Sequence, residues 1–288
     1  MRGGQWQVLH LASGLAELGH EQELLTPADS PLAAEAAARG VATAPLSLAA
    51  VAVRHRSFDI IHAHDARAHA LAAPFAGGRL VVARRVSFAL KRSPTTRWKY
   101  RRASHFIAVS EFVQSVLVHD GINPDRISVV CDGVPLPDAP ASPEDSFVVS
   151  LASGDPLKGR ALIEAAGIPV HFSSDLAADL PRAALFLYIS ESEGLGSAAL
   201  LASAYGVPVV ASRVGGLPEA VEDGVTGLLT ENDPRLIAAA ISRILDNPAL
   251  AEEMGAAGRR RIAERFTIEA MVRGTLAAYE RVLHCPQP

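Results

Sequence analysis

SESEGLGSAALLASAYGVPVVASRVGGLPEAVEDGVTGLL, residues 190–229, is the stretch that decides the fold. After an acidic, glycine-broken turn, its alanines and leucine predict a helix over Ser197–Tyr205, because both residue types propagate helices well. Gly206 ends that helix, and residues 207–211 (VPVVA) are typical of a short buried strand. A second glycine turn, Gly215-Gly216, then leads into another helix. The stretch therefore predicts a parallel α/β unit.

Both glycine turns stand where a strand hands over to a helix. Small residues there let a ligand approach the backbone, and the free N–H groups of a helix start favour phosphate or sugar oxygens. Glu193 adds a carboxylate that suits sugar hydroxyls better than phosphate. The alternative is ordinary β–α turn chemistry, which a single EGLG turn would also allow. Two such turns separated by a helix and a strand favour a ligand site.

The composition limits the class of protein. The 288 residues suffice for two domains, 49% apolar residues supply a substantial core, and a net charge of −4 argues against a general nucleic-acid binder. Cys131 and Cys285 lie far apart, which excludes a disulfide scaffold and most zinc sites and fits a reducing cytosol. The first residues form no apolar signal segment, and no run is long enough to span a bilayer, so we expect a cytoplasmic protein.

The domain organisation follows from the alternation of strands and helices. Four prolines between residues 133 and 145 can continue neither a sheet nor a helix, and they predict a linker. We expect one domain over residues 1–135, a second over 136–265, and a C-terminal helix in 266–288 that packs back toward the first domain. Each domain should be a Rossmann-like α/β unit with a parallel sheet, and the two should face a central cleft. Because Gly3-Gly4 precedes the first helix without a strand before it, the first domain is predicted to lack its first strand.

The predicted strand over residues 58–64 carries two histidines near its carboxyl end, His62 and His64, with Asp65 beside them. Ligands of open parallel sheets bind at that edge, and strand periodicity places both histidines on one face. A substrate-facing role and a plain hydrogen bond to the backbone at the strand end are equally consistent with the pattern.

Residues 84–102, here called the basic patch, contain no acid and are interleaved with aromatic residues. The cations are Arg84, Arg85, Lys91, Arg92, Arg97, Lys99, Arg101 and Arg102. The patch suits an anionic acceptor or the anionic face of the inner membrane; nucleic acid is disfavoured because no recognised binding fold accompanies it. A solvated helix face is the remaining interpretation, since most charge runs are of that kind.

The chain resembles glycosyltransferase family 4, whose members are retaining, sugar-nucleotide-dependent enzymes with the two-domain GT-B fold. The resemblance covers nearly the whole chain and is most specific in EGLG followed by GVPVVASRVGGLPEAVEDGVTGLL. Further support comes from the glycine pair before LASGLAELGHE and from FDIIHAHDARAHALAA, HFIAVSEFV, RISVVCDGV, the LKG turn and the C-terminal RFT…YERVL.

The resemblance implies a role for each matching residue. Glu193 and His64 would be the catalytic residues, with Glu193 also accepting from the donor sugar's hydroxyls. The backbone around the glycine turn would face the sugar and the diphosphate. Lys158 would neutralise the diphosphate, although it could instead be an ordinary surface lysine. Gly3 and Gly4 would approach the donor from the first domain. The donor-site residues of the turn are Gly194, Leu195, Gly196 and Ser197, and those of the acceptor or anion side are His62, Asp65, Arg84 and Arg85.

Several positions depart from the family pattern. Leu201 stands where a second glutamate, eight positions after the first, holds the nucleotide ribose. Ser153 replaces an arginine that shares the diphosphate, Val86 stands nearest to where many members carry a histidine, and the segment from Lys158 to Glu193 is short, which predicts an abbreviated second domain. Losing one charged phosphate contact costs about 1.5–3 kcal/mol.

We therefore expect a retaining glycosyltransferase that moves a sugar from a UDP- or GDP-linked donor to a cell-envelope glycan or lipid acceptor. It would need no metal or further cofactor and would work in the cytoplasm, at the inner face of the membrane. The alternative is a degenerate, non-catalytic member that binds a glycan, a nucleotide sugar or a partner protein. A third possibility is a sugar-nucleotide epimerase of the same fold, which the family signature disfavours.

Overall fold

Strands and helices alternate along Met1 and residues 3–284, which the computed structural model describes. Arg2 and residues 285–288, among them Cys285, lie outside the described residues. The strands are β1 Glu23–Thr26, β2 Ala42–Pro45, β3 Ile61–Ala63, β4 Leu80–Arg84, β5 His105–Ala108, β6 Ile127–Val129, β7 Val148–Leu151, β8 His171–Ser173, β9 Leu185–Tyr188, β10 Val209–Ser212 and β11 Gly227–Thr230. The helices are α1 Gly3–Glu17, α2 Pro31–Ala38, α3 Leu48–Arg54, α4 Ala66–Ala72, α5 Pro94–Arg102, α6 Glu111–His119, α7 Arg160–Ala165, α8 Leu176–Asp179, α9 Ser197–Ala204, α10 Leu217–Ala220, α11 Pro234–Leu245, α12 Pro248–Arg265 and α13 Ile268–His284.

The chain divides into two compact units, the first made of residues 1–133 and the segment from Ile268 onward, the second of Val134–Thr267. The first unit holds two parallel sheets: the pair β1-β2, and a sheet of four strands in the order β3-β4-β5-β6. The sequence predicted one parallel sheet for this domain. Two sheets are observed instead of one, because no strand of the described residues lies between β1 and β3 and hydrogen-bonds to both.

Helix α13 completes the core of the first unit. Its Met271 and Val272 pack against Leu11 and Leu15 of α1. Farther along the helix, Ala278 and Val282 pack on apolar residues of β4 and β5. The approach of α1 and α13 is close, since a Cβ placed on Gly14 would lie 2.6 Å from Cγ2 of Val272.

The second unit holds five parallel strands in the order β11-β10-β9-β7-β8. Strands β9 and β10 are buried along their full length, as expected of central strands in a sheet covered on both faces. The core between this sheet and its helices includes Leu185, Leu187, Val210, Ile237 and Ile241.

The observed elements differ from the predicted ones where local chemistry competes with the hydrophobic pattern. Strand β10 begins at Val209 instead of residue 207 because Pro208 has no N–H to donate to a neighbouring strand. A helix in the region of α5 was only one of the interpretations of the basic patch, since its nine residues PTTRWKYRR are mostly polar. Its start nevertheless has a helix-capping pattern, because the Ser93 side chain accepts from the N–H of Thr96 at 3.1 Å and Pro94 follows.

Candidate functional site

Three side chains of the second unit meet beyond the carboxyl ends of β7 and β9. Lys158 ends a short 3₁₀ turn after β7, and Glu193 lies in the glycine turn after β9. The Lys158 Nζ donates to Glu193 Oε1 in a salt bridge, and the hydroxyl of Tyr188 donates to the same oxygen at 2.8 Å. The side chains of Lys158 and Glu193 are only 24% and 13% exposed, so Lys158 is not a free surface lysine.

The surroundings of this cluster set its protonation. Burial lowers the pKa of Lys158, while the nearby Asp155 carboxylate opposes that shift. Burial also raises the pKa of Tyr188, which keeps its hydroxyl protonated and able to donate. Glu193 therefore holds one cationic and one neutral donor on a single oxygen, and its second oxygen is available for another donor.

The two glycine turns pack on each other. A Cβ on Gly215 would lie 2.1 Å from the carbonyl oxygen of Glu193, and one on Gly216 would lie 2.0 Å from that of Gly194. The N–H of Gly216 donates to the Glu193 carbonyl at 3.0 Å. The sequence predicted that small residues in both turns let a ligand approach. For Gly215-Gly216 this is wrong, because the backbone of the first turn already fills that space.

Gly196 connects the first turn to helix α9. Its φ of +102° is in the region that favours glycine, and a Cβ there would lie 2.6 Å from Cδ2 of Leu217. No side chain of the described residues caps α9, and the N–H of Ala199 donates to the Gly196 carbonyl at 2.9 Å. The N–H groups of Ser197 and Ala198 are therefore the ones at this helix start that can bind an anion. The Leu195 side chain is buried in the core and can offer a ligand only its backbone.

A ring of hydrogen bonds anchors the start of the Glu193 turn. The Ser190 N–H donates to Ser212 Oγ at 2.9 Å, Ser212 Oγ donates to Asn232 Oδ1 at 2.6 Å, and Asn232 Nδ2 donates to the Ser190 carbonyl at 3.1 Å. These three residues were not predicted from the sequence. Their signal is the placement of small polar residues at or just after the carboxyl ends of successive strands.

The first unit brings the two predicted histidines together at the carboxyl end of β3. Their ring centroids are 3.9 Å apart. His62 Nδ1 lies 2.8 Å from the hydroxyl of Tyr279 on α13, and Arg85 Nη1 lies 3.4 Å from His64 Nδ1. Arg85 also donates from Nε to Asp132 Oδ1 at 3.0 Å. Tyr279 and Asp132 were not predicted from the sequence as members of this candidate site; Tyr279 is 217 positions from its partner.

Both histidines are held neutral. Burial, and secondarily the Arg85 charge, lowers the pKa of His62 to about 3. Burial, then the neighbouring His62 and Arg85, holds the pKa of His64 well below its ordinary value. The Nε2 atom of His62 is enclosed and has no hydrogen-bond partner among the described residues. The pair therefore offers hydrogen-bonding imidazoles, with the cationic charge supplied by Arg85.

The other predicted residues of the first unit take separate positions. Asp65 caps helix α4, where its Oδ1 accepts from the N–H groups of Arg67 at 2.7 Å and Ala68 at 2.8 Å. The Arg84 guanidinium lies 5.2 Å from the centroid of the Phe88 ring and donates to the Phe88 carbonyl. Gly3 and Gly4 open helix α1, and a Cβ on Gly4 would meet nothing within 4 Å.

The positions that depart from the family pattern are built into local structure. Ser153 Oγ accepts from the N–H of Asp155 at 3.1 Å, which shapes the turn that leads to Lys158. Leu201 lies on α9 and is partly buried, and Val86 is partly buried after β4. The described residues hold no cluster of three histidine, cysteine or acidic side chains suited to a metal ion. Among the helices of residues 3–284, none has both the length and the apolar character to cross a bilayer.

Two family profiles match the chain. The profile described as Glycosyltransferase Family 4 matches residues 1–137, and the one described as Glycosyl transferases group 1 matches residues 161–261. The chain is 47% identical over 96 residues to D-inositol 3-phosphate glycosyltransferase of Thermobifida fusca, a match that covers 33% of this chain and 22% of that protein. It is 34% identical over 168 residues to alpha-maltose-1-phosphate synthase of Mycolicibacterium smegmatis, covering 55% of this chain and 41% of that one.

Solved structures share the fold. The Anabaena protein HepE in complex with UDP and glucose superposes with a TM-score of 0.84 at 19% identity, over 97% of this chain and 96% of that one. The predicted family and the α/β class of parallel-sheet, Rossmann-like domains are confirmed. The matched region covers less than half the length of each of these two curated relatives.

Proposed function

The chain belongs to the family 4, group 1 glycosyltransferases, and on that basis we propose that it is an enzyme that moves a sugar from a nucleotide-sugar donor to an acceptor. The observation that carries the proposal is the Lys158–Glu193–Tyr188 cluster beside the uncapped start of α9. This cluster places a carboxylate, a cation and free N–H groups at the carboxyl edge of a parallel sheet, where ligands of such sheets bind.

Each group has a distinct task in donor binding. The free oxygen of the Glu193 carboxylate accepts from hydroxyls of the donor sugar. Lys158 and the first N–H groups of α9 meet the negative charge that grows on the departing nucleoside diphosphate. Donor binding would turn Lys158 from the carboxylate toward the diphosphate, and the hydroxyl of Tyr188 would keep Glu193 in place.

The retaining outcome is part of the proposal. A reaction through an oxocarbenium-like state needs stabilised charge more than a strong nucleophile, and Glu193 is already engaged by two donors. A nucleoside diphosphate is also the ligand that HepE holds. We expect a UDP- or GDP-linked sugar as the donor.

The acceptor side is assigned to the first unit. Neutral His64 can exchange hydrogen bonds with hydroxyls, while Arg85 supplies positive charge beside it and His62, whose Nδ1 is held by Tyr279, packs against the His64 ring. An acceptor with hydroxyls close to an anionic group fits this set, and we propose a cell-envelope glycan or lipid at the inner face of the cytoplasmic membrane.

A panel of UDP-, GDP- and ADP-sugars tests the donor. Thermal unfolding and product formation with lipid extracts are measured for the purified chain and for Glu193→Gln. The expected result is a rise in Tm with one donor nucleotide in the original chain and none in the variant. A chain that responds to no nucleotide sugar, and yields no product, would contradict the enzymatic proposal.

A non-catalytic binding protein is the second candidate, and Leu201 and Ser153 favour it. The double variant Leu201→Glu, Ser153→Arg separates the two. A large gain in nucleotide affinity would identify a decayed donor site and support the binding protein. Turnover by the original chain would exclude it.

A further inference from the structure

The hydrogen-bond ring at Ser190 lies where the sheet of the second unit opens. The pairing of β9 with β10 ends at Tyr188 and Ala211. Ser190 lies two residues farther along and is fully buried, so its backbone N–H and carbonyl need partners that the neighbouring strand no longer supplies. Ser212 accepts from the N–H, and Asn232 donates to the carbonyl. Two polar side chains thus replace strand pairing at the edge where the candidate donor site begins.

Ser190 also connects this ring to the turn that carries Lys158. The N–H of Glu191 donates to the carbonyl of Leu157 at 2.9 Å. The Ser190 hydroxyl, which also faces the Ser192 carbonyl, lies 3.2 Å from the same Leu157 oxygen. Leu157 directly precedes Lys158, so its carbonyl belongs to the peptide bond from which Lys158 extends.

The Lys158 turn contacts the end of β9 on its other side as well. Gly159 has a φ of +62°, in the region that favours glycine, and a Cβ there would lie 2.9 Å from the Ile189 carbonyl oxygen. The backbone on both sides of Lys158 is therefore placed by residues 189–191. Glu193 follows these residues in the same turn. One junction thus sets the distance between the Lys158 ammonium and the Glu193 carboxylate.

Asn232 supports this junction from a distance. It lies just after β11, and no hydrogen bond or salt bridge of the described residues joins it to Lys158 or Glu193. Without its amide, the buried Ser190 carbonyl would lose its donor and the Ser212 hydroxyl would lose its acceptor. A shift of about 1 Å in a charged group can cost a site about a hundredfold in rate.

We propose that Asn232 is a positioning residue of the candidate donor site. Through Ser212, Ser190 and the Leu157 carbonyl, it holds Lys158 against Glu193. The inference rests on the proposed function only for what the cluster binds, because the contacts among the turns exist without a ligand. Failure of donor binding and failure of this coupling are therefore separate results.

Urea unfolding tests the coupling without any ligand. The variants are Asn232→Ala, Lys158→Met and the two combined. If Asn232 holds Lys158 in place, Lys158→Met should lower the urea midpoint of the original chain, and its effect should shrink to about half or less when Asn232→Ala is present. The helix start of α11 is unaffected by these changes, since Asp233 caps it.

Asn247→Ala is the matched control for this experiment. It is the same substitution in the same unit, and it removes the cap of α12, where Asn247 Oδ1 accepts from the Leu250 N–H at 3.1 Å. It therefore lowers stability without touching the junction at Ser190. In its presence, Lys158→Met should lower the urea midpoint by as much as it does in the original chain.

Isothermal titration with UDP and with GDP tests the consequence for binding. Asn232→Ala should weaken the binding of the preferred nucleotide about tenfold or more, whereas Asn247→Ala should stay within about twofold of the original. Asn232→Asp has the same shape but sets an oxygen against the Ser190 carbonyl, so it should weaken binding as Asn232→Ala does. A residue that only fills space would tolerate the aspartate.

Three results would overturn the proposal. They are urea shifts of Asn232→Ala and Lys158→Met that simply add, equal losses of nucleotide affinity in Asn232→Ala and Asn247→Ala, and original affinity in Asn232→Asp. If the original chain binds neither UDP nor GDP, the donor assignment fails, and the urea experiment still decides whether Asn232 positions Lys158.

Discussion

Glu193 illustrates how much a single residue depends on what surrounds it. Its carboxylate is shared by Lys158 and Tyr188, and its backbone carbonyl accepts from Gly216. Side chain and main chain are thus fixed by separate partners. A ligand that displaces Lys158 leaves the other two contacts intact, which keeps the second carboxylate oxygen in position.

Removing the charge at this site should affect donor binding more than folding. For Lys158→Ala we expect donor affinity or turnover to fall about 10²–10³-fold, because a cation facing the leaving diphosphate is lost. The free energy of unfolding should fall by only about 1–2 kcal/mol, since the salt bridge is partly solvated. Isothermal titration and urea unfolding measure the two effects. Arg160→Gln is the control: Arg160 is close in sequence and pairs with Glu164, but it is 53% exposed. Equal donor losses in both variants would contradict the role of Lys158.

Because the two glycine turns are in contact, adding one methyl group between them should destabilise the fold strongly. Gly216→Ala should lower the free energy of unfolding by about 2 kcal/mol or more, because the new Cβ would meet the Gly194 carbonyl at 2.0 Å and backbone atoms cannot yield as a side chain does. Gly154→Ala is the matched control, since nothing lies within 4 Å of its Cβ position, and it should stay within about 0.5 kcal/mol. Chemical denaturation of both variants measures their free energies of unfolding. Similar free energies for the two variants would show that the turns can separate.

Motif spacing singles out Lys158 and Glu193 in the sequence, and the structure brings their side chains together. The sequence could not supply Tyr188, whose partner is decided by the path of the turn after β9. Tyr279 was also out of reach, since helix periodicity says which face of α13 is apolar but not which strand it meets. The function given to Gly215-Gly216 was wrong for a related reason: a glycine pair indicates close approach, and the sequence does not say whether the neighbour is a ligand or another turn.

Among the elements, the strands differ in how firmly they are held. Strands β9 and β10 are buried along their length and lie inside a five-stranded sheet. Within the described part of the chain, strands β1 and β2 pair only with each other, and they are mostly half-exposed. The hydrophobic pattern of residues 207–211 predicted β10, whereas the four residues ATAP of β2 show no strand pattern.

This contrast predicts a difference in amide hydrogen exchange. The paired N–H groups of β1 and β2 should exchange about a hundredfold or more faster than those of β9 and β10, because a two-stranded sheet opens locally at low cost. Mass spectrometry on peptic fragments of the native chain can measure both regions in one experiment. Protection of β1 and β2 equal to that of β9 would mean that they open only with the whole unit.

At the scale of the whole molecule, buried neutral histidines couple folding to pH. Burial lowers the pKa of His62 to about 3 and those of His69 and His105 to about 4, and it holds that of His64 well below its ordinary value. In the unfolded chain each would titrate near pH 6.5. At a pH between the folded and the unfolded pKa of a histidine, the ring is protonated in the unfolded state and neutral in the folded state.

We therefore expect full histidine-dependent stability above about pH 6.5 and a progressive loss as the pH falls toward 4.5. Each buried histidine adds at most about 1.4 kcal/mol per pH unit to the slope. Urea unfolding at pH 7.5, 6.5, 5.5 and 4.5 gives that slope. His105→Gln should make it shallower, whereas a variant of the exposed His20 should not. A free energy of unfolding that does not change over this range would show that these rings titrate when folded.

The membership of α13 in the first unit has a consequence for biosynthesis. The segment that completes the Leu11 and Leu15 cluster leaves the ribosome only after all of Val134–Thr267 has been made. The second unit is continuous in sequence and can mature during translation, while the first must wait with part of its core uncovered. A nascent chain stalled before Ile268 would therefore be a client for chaperones through its amino-terminal half, not through its most recently made part.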